Sequence, residues 1–243
     1  HRLAAIAVTR NSTSERITEK ETRKQNINKN VPPQQQLVSL LEHYQNGRLK
    51  DAETLATSMT QQFPSHNFSW KVLGAVLNKT GRTSQGLHAN KVAVGLSPQD
   101  AEAHNNLGTT LDNLGKFGKA EACYRQAIML KPDYAEAHYN LGSTLIKLGK
   151  ADTAEVCYRQ AVFLKPDYAE AHNNLGSTLL KLGKVHIAEA CCRQAIELKP
   201  DYAEAHDNLG STLLALGKVD TADASYREAR SEEHTSELQS RQY

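Results

Sequence analysis

The sequence predicts an all-α fold, a right-handed superhelical solenoid of antiparallel helix pairs. The first observation is a period of 34 residues that recurs without insertion from Ala101 to Ala229, and such a period is the signature of a stacked array. The second is that each period holds two stretches with helical apolar spacing, separated by glycine and closed by proline. Because one period cannot bury its apolar face alone, neighbouring periods must stack.

The predicted array extends beyond the clearest copies and spans residues 33–229. Two more divergent copies precede Ala101, and Pro64 falls 34 residues before Pro98 in the same register. The repeats are therefore placed near residues 33–66, 67–100, 101–134, 135–168 and 169–202, with an incomplete repeat at 203–229.

Each repeat is predicted to fold as helix, turn, helix. In the fourth repeat the first helix ends at Gly149, because glycine adopts the left-handed conformation without strain. The second helix is expected to begin near Thr153 and to stop before Pro166. Gly142 and Ala154 are expected where the two helices cross closely. Aspartates three residues before a glutamate predict helix N-caps, at Asp133, Asp167 and Asp201 before Glu136, Glu170 and Glu204.

The two flanks do not follow the repeat. Residues 1–32 form a polar segment without sustained apolar period and are predicted to be a disordered leader or linker, with a short helix around Ser14 to Lys24. Residues 230–243 include RSEEHTSELQS, which is the string that common sequencing-adapter DNA encodes in this frame. We therefore expect residues 230–243 to be non-native, and the native chain to continue beyond Ala229.

Composition narrows the classes of partner. The chain has a net charge of +2 and is 23% charged, and the array itself is close to neutral, which argues against nucleic acid as a partner. The apolar run from Leu3 to Val8 is too short to span a membrane. Three of the four cysteines occupy one repeat position, so the prediction is free thiols in a reducing, cytoplasmic compartment.

Other side chains that recur with the period are expected to pack rather than to react. Four histidines stand where Trp70 stands in the second repeat, and adjacent repeats place them too far apart to share a metal ion; they are His104, His138, His172 and His206. Tyr124, Tyr158 and Tyr226 are expected to be core aromatics. No catalytic motif is present in the sequence, so we expect no active site and no cofactor.

The landmarks Leu141-Gly142, Ala154, Tyr158 and Pro166 resemble those of the tetratricopeptide repeat. The longer string AEAHNNLG…LGK…AEACYRQAI.LKPDY is similar to repeats of bacterial proteins resembling O-linked N-acetylglucosamine transferases, the Spindly-like group. This resemblance covers about Pro33 to Ala229 and implies an array that precedes a glycosyltransferase domain. Similar arrays also precede sulfotransferase and methyltransferase domains.

In the transferase family, an asparagine on the first helix of each repeat contacts the backbone of an extended polypeptide. The matching residues, each just before Leu-Gly, are Asn106, Asn140, Asn174 and Asn208, whereas Val38 and Val72 interrupt the pattern. An amide offers both a donor and an acceptor, so it can pair with any peptide backbone. The alternative is that these asparagines bond to the neighbouring helix and fix repeat stacking, and both roles can hold together.

The sequence therefore favours a module that binds a polypeptide in a concave groove, as the substrate-docking arm of a larger enzyme. Two alternatives remain: a free-standing scaffold or co-chaperone adaptor, and a structural spacer. The sequence that follows Ala229 in the intact gene would separate them, because only the first requires a transferase domain there.

Overall fold

The computed structural model describes residues 31–240, with side chains described through residue 232, and residues 31–240 form twelve α-helices and no strands. The prediction of an all-α helical-repeat solenoid is confirmed. The expected leader at 1–32 and its helix at Ser14 to Lys24 lie almost entirely outside the described residues. The chain divides into two compact units, one ending at Pro98 and one beginning at Gln99, and each is described by itself.

The first unit contains two helix pairs. Its helices are α1 (Gln34–Gln45), α2 (Leu49–Gln62), α3 (Asn67–Lys79) and α4 (Thr83–Leu96). The core is built from side chains of α1 to α3 that are almost fully buried, including Leu40, Met59 and Val76. The apolar spacing that predicted these helices is therefore the spacing of their buried face.

The second unit contains four helix pairs. These helices are α5 (Ala101–Asn113), α6 (Phe117–Leu130), α7 (Ala135–Lys147), α8 (Ala151–Leu164), α9 (Ala169–Lys181), α10 (Val185–Leu198), α11 (Ala203–Ala215) and α12 (Val219–Ser240). Each second helix packs on the first helix of its own pair and on that of the next pair, and successive first helices also touch. Leu145, Leu179 and Leu213 are buried at the same repeat position.

The turn inside each pair depends on a glycine in the left-handed region. Gly149 has φ +73°, and the amide of Lys150 donates to the carbonyl of Leu145 at 2.9 Å. This Schellman arrangement satisfies carbonyls at the end of the helix. Because one glycine completes the turn, α8 begins at Ala151. The predicted start near Thr153 lies two residues further along the chain.

The predicted aspartate caps are wrong at Asp133, Asp167 and Asp201. The capping position is occupied instead by Tyr134, Tyr168 and Tyr202, without a side-chain cap bond. The reason is the turn between repeats, in which the amide of Tyr168 donates to the carbonyl of Lys165 at 3.2 Å and places Asp167 one residue too early. Asp100 occupies the tyrosine position of its own repeat, and its carboxylate accepts from the amide of Ala103 at 3.1 Å.

The close approach predicted at Gly142 is confirmed, but the neighbour is an aromatic ring. A Cβ atom at Gly142 would lie 2.8 Å from Cε1 of Tyr158. The same relation joins Gly108 to Tyr124 and Gly210 to Tyr226, while Gly176 faces Cys192 instead. The glycine therefore makes room for the aromatic side chain of the paired helix.

Ion pairs connect consecutive repeats on the second helices. Glu155 accepts from Lys184 of the next repeat at 2.5 Å and from Arg159 of its own helix at 3.0 Å. These bonds, led by the one from Lys184, lower the pKa of the largely buried Glu155 carboxyl. Glu121 with Lys150 and Glu189 with Lys218 repeat the arrangement at 2.9 and 2.8 Å.

The last helix continues through the segment that the sequence analysis set apart. Helix α12 runs to Ser240, past Ala229, which is itself buried. A continued helix is compatible with either origin of residues 230–243, so their assignment as non-native stays a prediction.

Candidate functional site

The four predicted site asparagines lie on successive first helices of the second unit. Asn106, Asn140, Asn174 and Asn208 belong to α5, α7, α9 and α11, and all four are half-buried. We call the surface formed by these four residues and the neighbouring side chains of the same helices the asparagine face. The periodic placement follows directly from the 34-residue repeat, because each asparagine precedes the same buried leucine.

Each of three asparagines donates a hydrogen bond to the preceding repeat. Nδ2 of Asn140 donates to Oδ1 of Asn105 at 3.0 Å, and Nδ2 of Asn208 donates to Oδ1 of Asn173 at 2.9 Å. Nδ2 of Asn174 donates to the hydroxyl of Tyr139 at 3.2 Å. The stacking bonds that the sequence analysis named as the alternative role are therefore present.

These bonds use only part of each amide. A primary amide has two N–H donors and an oxygen with two acceptor sites, and the bond to the preceding repeat uses one donor. In Asn140 and Asn208 the bond turns the nitrogen towards the previous repeat and fixes the side chain in one orientation. A fixed amide loses less conformational entropy when it binds a ligand, so the stacking bonds are compatible with both roles named from the sequence.

The residue before each asparagine forms a second polar file that the sequence analysis missed. Asn173 is fully buried, and its Nδ2 lies 3.3 Å from the hydroxyl of Tyr202. In the fourth repeat Tyr139 takes this position and packs on Tyr168, with ring centroids 4.9 Å apart. The signal was available, because Asn105 and Asn173 recur two periods apart, but only the structure shows that they accept from the next repeat.

A shallow cavity opens on the asparagine face between α7 and α9. Its volume is about 240 Å³, and its lining includes Asn174, the hydroxyls of Ser143 and Ser177, and the side chains of Ile146, Lys181 and Glu204. The cavity therefore offers amide, hydroxyl, aliphatic and charged groups within one repeat length. This mixture suits a polypeptide better than a small apolar ligand.

Tyrosine hydroxyls form the back of the asparagine face. The hydroxyl of Tyr158 donates to Oγ of Ser143 at 3.1 Å, and Tyr124 and Thr109 make the same contact at 3.2 Å. Burial raises the pKa of Tyr158 to about 12, so the phenol is neutral at physiological pH. Tyr124 and Tyr158 are buried as predicted, whereas Tyr226 is only partly buried.

The recurring histidines contact the turn that precedes their own helix. Nε2 of His138 and of His172 each lies 3.0 Å from the carbonyl oxygen of the proline six residues earlier, Pro132 and Pro166. Nε1 of Trp70 donates to the carbonyl of Pro64 at 2.8 Å in the same way. Within the described residues, no group of three or more histidine, cysteine or acidic side chains is arranged to hold a metal ion.

The cysteines are free, and their thiols are weakly reactive. Cys157 and Cys192 are buried, while Cys123 and Cys191 are half-buried. Burial raises the pKa of Cys157 to about 11 and of Cys192 to about 12. A thiol reacts as its thiolate, so these groups are poor nucleophiles near neutral pH.

Of the helices in residues 31–240, none is long and apolar enough to cross a membrane.

The fold and the repeated packing define the class of this protein, an all-α helical-repeat solenoid. Models of the tetratricopeptide repeat match residues 113–149, 142–183, 169–202 and 191–224, so residues 113–224 are tetratricopeptide repeats. This fold generally mediates protein–protein interaction. No curated protein matches the chain.

Solved structures share the fold at low sequence identity. TTC0263 of Thermus thermophilus, a thermophilic TPR protein, is 24% identical with a TM-score of 0.62, covering 74% of this chain and 98% of that chain. YrrB, described as a TPR protein with an unusual peptide-binding site, is 19% identical with a TM-score of 0.61, covering 77% and 98%. A chain of the APC/C hetero-tetramer Cut9–Hcn1 is 18% identical with a TM-score of 0.73, covering 81% and 39%. At these identities the similarity shows the fold alone.

Proposed function

We propose that the second unit binds an extended polypeptide across the asparagine face and serves as the substrate-docking arm of a glycosyltransferase-type enzyme. The observation that carries the proposal is the file of orientated amides on successive first helices, three of which donate to the preceding repeat. The resemblance of the repeat sequence to the transferase arrays supports the identity of the larger enzyme.

Backbone recognition by amides accounts for an interaction that tolerates many sequences. A neutral hydrogen bond contributes about 0.5–1.5 kcal/mol net, so one bond per amide would supply roughly 2–6 kcal/mol for the four asparagines before the cost of ordering the ligand. Such a site is weak, and it gains affinity mainly from the number of repeats that the ligand contacts.

A free-standing scaffold or co-chaperone adaptor is the second candidate. It is supported by the solved neighbours TTC0263 and YrrB, because the similarity to this chain covers 98% of each of those chains. The reading frame of the gene beyond the array separates the two candidates, and it also tests whether residues 230–243 are native. A transferase domain in that frame supports the docking arm, and a stop codon soon after the array supports the scaffold.

The binding role can be tested with two matched double variants that delete the same two hydrogen bonds. Asn140→Ala with Asn208→Ala removes two amides of the asparagine face, while Asn105→Ala with Asn173→Ala removes only their partners in the preceding repeat. Binding would be measured by fluorescence anisotropy with a fluorescein-labelled peptide of four Ser-Pro-Ala triplets. Circular dichroism would confirm that each variant is folded.

We expect the first double variant to lose about 5- to 150-fold in affinity, which corresponds to two bonds of about 0.5–1.5 kcal/mol each. The second double variant should retain most of the affinity. Equal losses in both would show that the amides act only by stacking the repeats, and undiminished binding in both would exclude the asparagine face as the site. A variant with Gln126, Gln160 and Gln194 changed to Ala, a file of amides on the second helices α6, α8 and α10, is the neutral control.

A further inference from the structure

One edge of the asparagine face carries an aliphatic file in its last three repeats. The position six residues after each asparagine is Ile146 in α7, Leu180 in α9 and Leu214 in α11. Ile146 lines the cavity that contains Asn174, and Leu214 is 47% exposed. In α5 the same position is Asp112, which accepts a hydrogen bond from Thr144 on the next first helix at 2.8 Å.

The opposite edge carries carboxylates. The position four residues before each asparagine is a glutamate: Glu102, Glu136, Glu170 and Glu204. Glu204 lines the same cavity as Ile146. Among the side chains described in residues 31–232, Glu170 and Glu204 form no ion pair, whereas every glutamate of the repeated Lys-Glu-Arg clusters on the second helices is paired twice. These two carboxylates are therefore available to a cation of a ligand.

The charges at the aliphatic edge have the other sign. Lys147 of α7 pairs with Asp112 of the preceding repeat. Lys181 occupies the position of Lys147 in α9, but the residue of its preceding repeat that corresponds to Asp112 is the aliphatic Ile146. Lys181 lines the cavity beside Ile146 and would repel a basic ligand side chain at this edge. A basic side chain of a bound polypeptide is consequently directed to the glutamate edge, and an aliphatic one to the isoleucine–leucine edge.

The spacing of the repeats selects the conformation of the ligand. Packed helices lie about 8–10 Å apart, and a polyproline II helix advances about 9 Å in its three-residue turn. Every third residue of such a ligand therefore meets the next repeat on the same side. The side chains of a β-strand alternate between its two faces. In a ligand of that conformation, residues three positions apart would therefore point to opposite edges of the asparagine face.

We infer that the preferred ligand of the asparagine face is a polyproline II segment with an aliphatic residue at every third position and Lys or Arg at another position of each triplet. This inference rests on the proposed function and adds the class of polypeptide to it. The occupant is fixed by the complementarity of its charge to Glu170 and Glu204 and by the match between its turn and the repeat.

The test compares two labelled peptides of identical composition on the full chain. One contains four Leu-Pro-Lys triplets, and the other contains the sequence LPLKPK twice, which breaks the three-residue period. We expect fluorescence anisotropy to show at least about tenfold tighter binding of the triplet peptide, as one or two extra well-placed contacts would give. Leu180→Ser should reduce the affinity for the triplet peptide more than it reduces that for the other peptide.

Two controls separate the inference from the proposed function. Phe163→Ser, which changes a 77% exposed apolar residue on the second helix α8, should leave both affinities unchanged. Glu170→Gln with Glu204→Gln should weaken the triplet peptide and remove its salt dependence. Equal binding of the two peptides, or binding of neither, overturns the inference. The proposed function stands if both peptides bind the wild type equally and this binding is lost in the variant Asn140→Ala with Asn208→Ala but kept in the variant Asn105→Ala with Asn173→Ala. If the first double variant binds both peptides like the wild type, the proposed function itself fails.

Discussion

The contact between Gly142 and Tyr158 predicts that Gly142→Ala destabilises the protein, although helix propensity alone would predict stabilisation. Ala at position 142 would place Cβ 2.8 Å from Cε1 of Tyr158. The tyrosine cannot easily move, because it is 2% exposed and its hydroxyl is bonded to Ser143 at 3.1 Å. Overpacking of this kind costs about 1–3 kcal/mol, while Ala in place of Gly gains about 1 kcal/mol of helix propensity.

We therefore expect Gly142→Ala to lower the free energy of unfolding by about 1 kcal/mol net. The matched control is Gly118→Ala in α6, where the added Cβ meets nothing within 4 Å, so this variant should gain up to about 1 kcal/mol. Urea unfolding followed by far-UV circular dichroism gives both values. If both variants are stabilised to the same degree, the close packing of Tyr158 on Gly142 is not a constraint, and the reasoning is refuted.

Two further predictions concern the helix caps and the inter-repeat ion pairs. Asp100→Ala should destabilise the fold by about 1 kcal/mol because it removes a cap bond. Asp167→Ala should have almost no effect in the same urea titration. If Asp167→Ala is instead the more destabilising variant, the helix cap predicted at Asp167 from the sequence is correct. Because the pKa of Glu155 is lowered in the folded state, its carboxylate stabilises the fold above the unfolded value of 4.5 and loses this contribution as the pH falls through the folded pKa. The difference in unfolding free energy between the wild type and Glu155→Gln should therefore shrink between pH 7 and about pH 3, and a difference that is constant over this range would contradict the ion-pair account.

The period and the glycines allowed most of the fold to be predicted from the sequence. A strict 34-residue repeat fixes which residues share a face, and Gly149 marks a turn that only a left-handed residue makes without strain. The cap at Asp167 could not be placed correctly, because the capping-box spacing also fits a residue inside the preceding turn. Only the bond from Tyr168 to Lys165 decides between the two registers.

The candidate site was predicted less completely than the fold. The sequence proposed Asn140 and its equivalents as ligand contacts, which stays a prediction. Their hydrogen-bond acceptors in the structure lie 35 residues earlier, and a bond across repeats depends on the depth of each side chain between two helices. Asn105 and Tyr139 differ in chemistry at the same repeat position, yet each accepts from the following asparagine. A recurring position does not require a recurring residue when an amide oxygen and a phenol oxygen can serve the same donor.

The bond between Lys184 and Glu155 spans 29 residues, and the same interval separates Glu121 from Lys150 and Glu189 from Lys218. The three junctions between repeats of the second unit therefore share this ion pair, so the array can lengthen or shorten by whole periods. Removing residues 135–168 as a block would bring Glu121 to Lys184 and Asn174 to Asn105, with donor and acceptor types preserved at each new contact. A gene that gains or loses one period by unequal recombination thus encodes a working junction at once, and the number of repeats can change without any new interface having to arise.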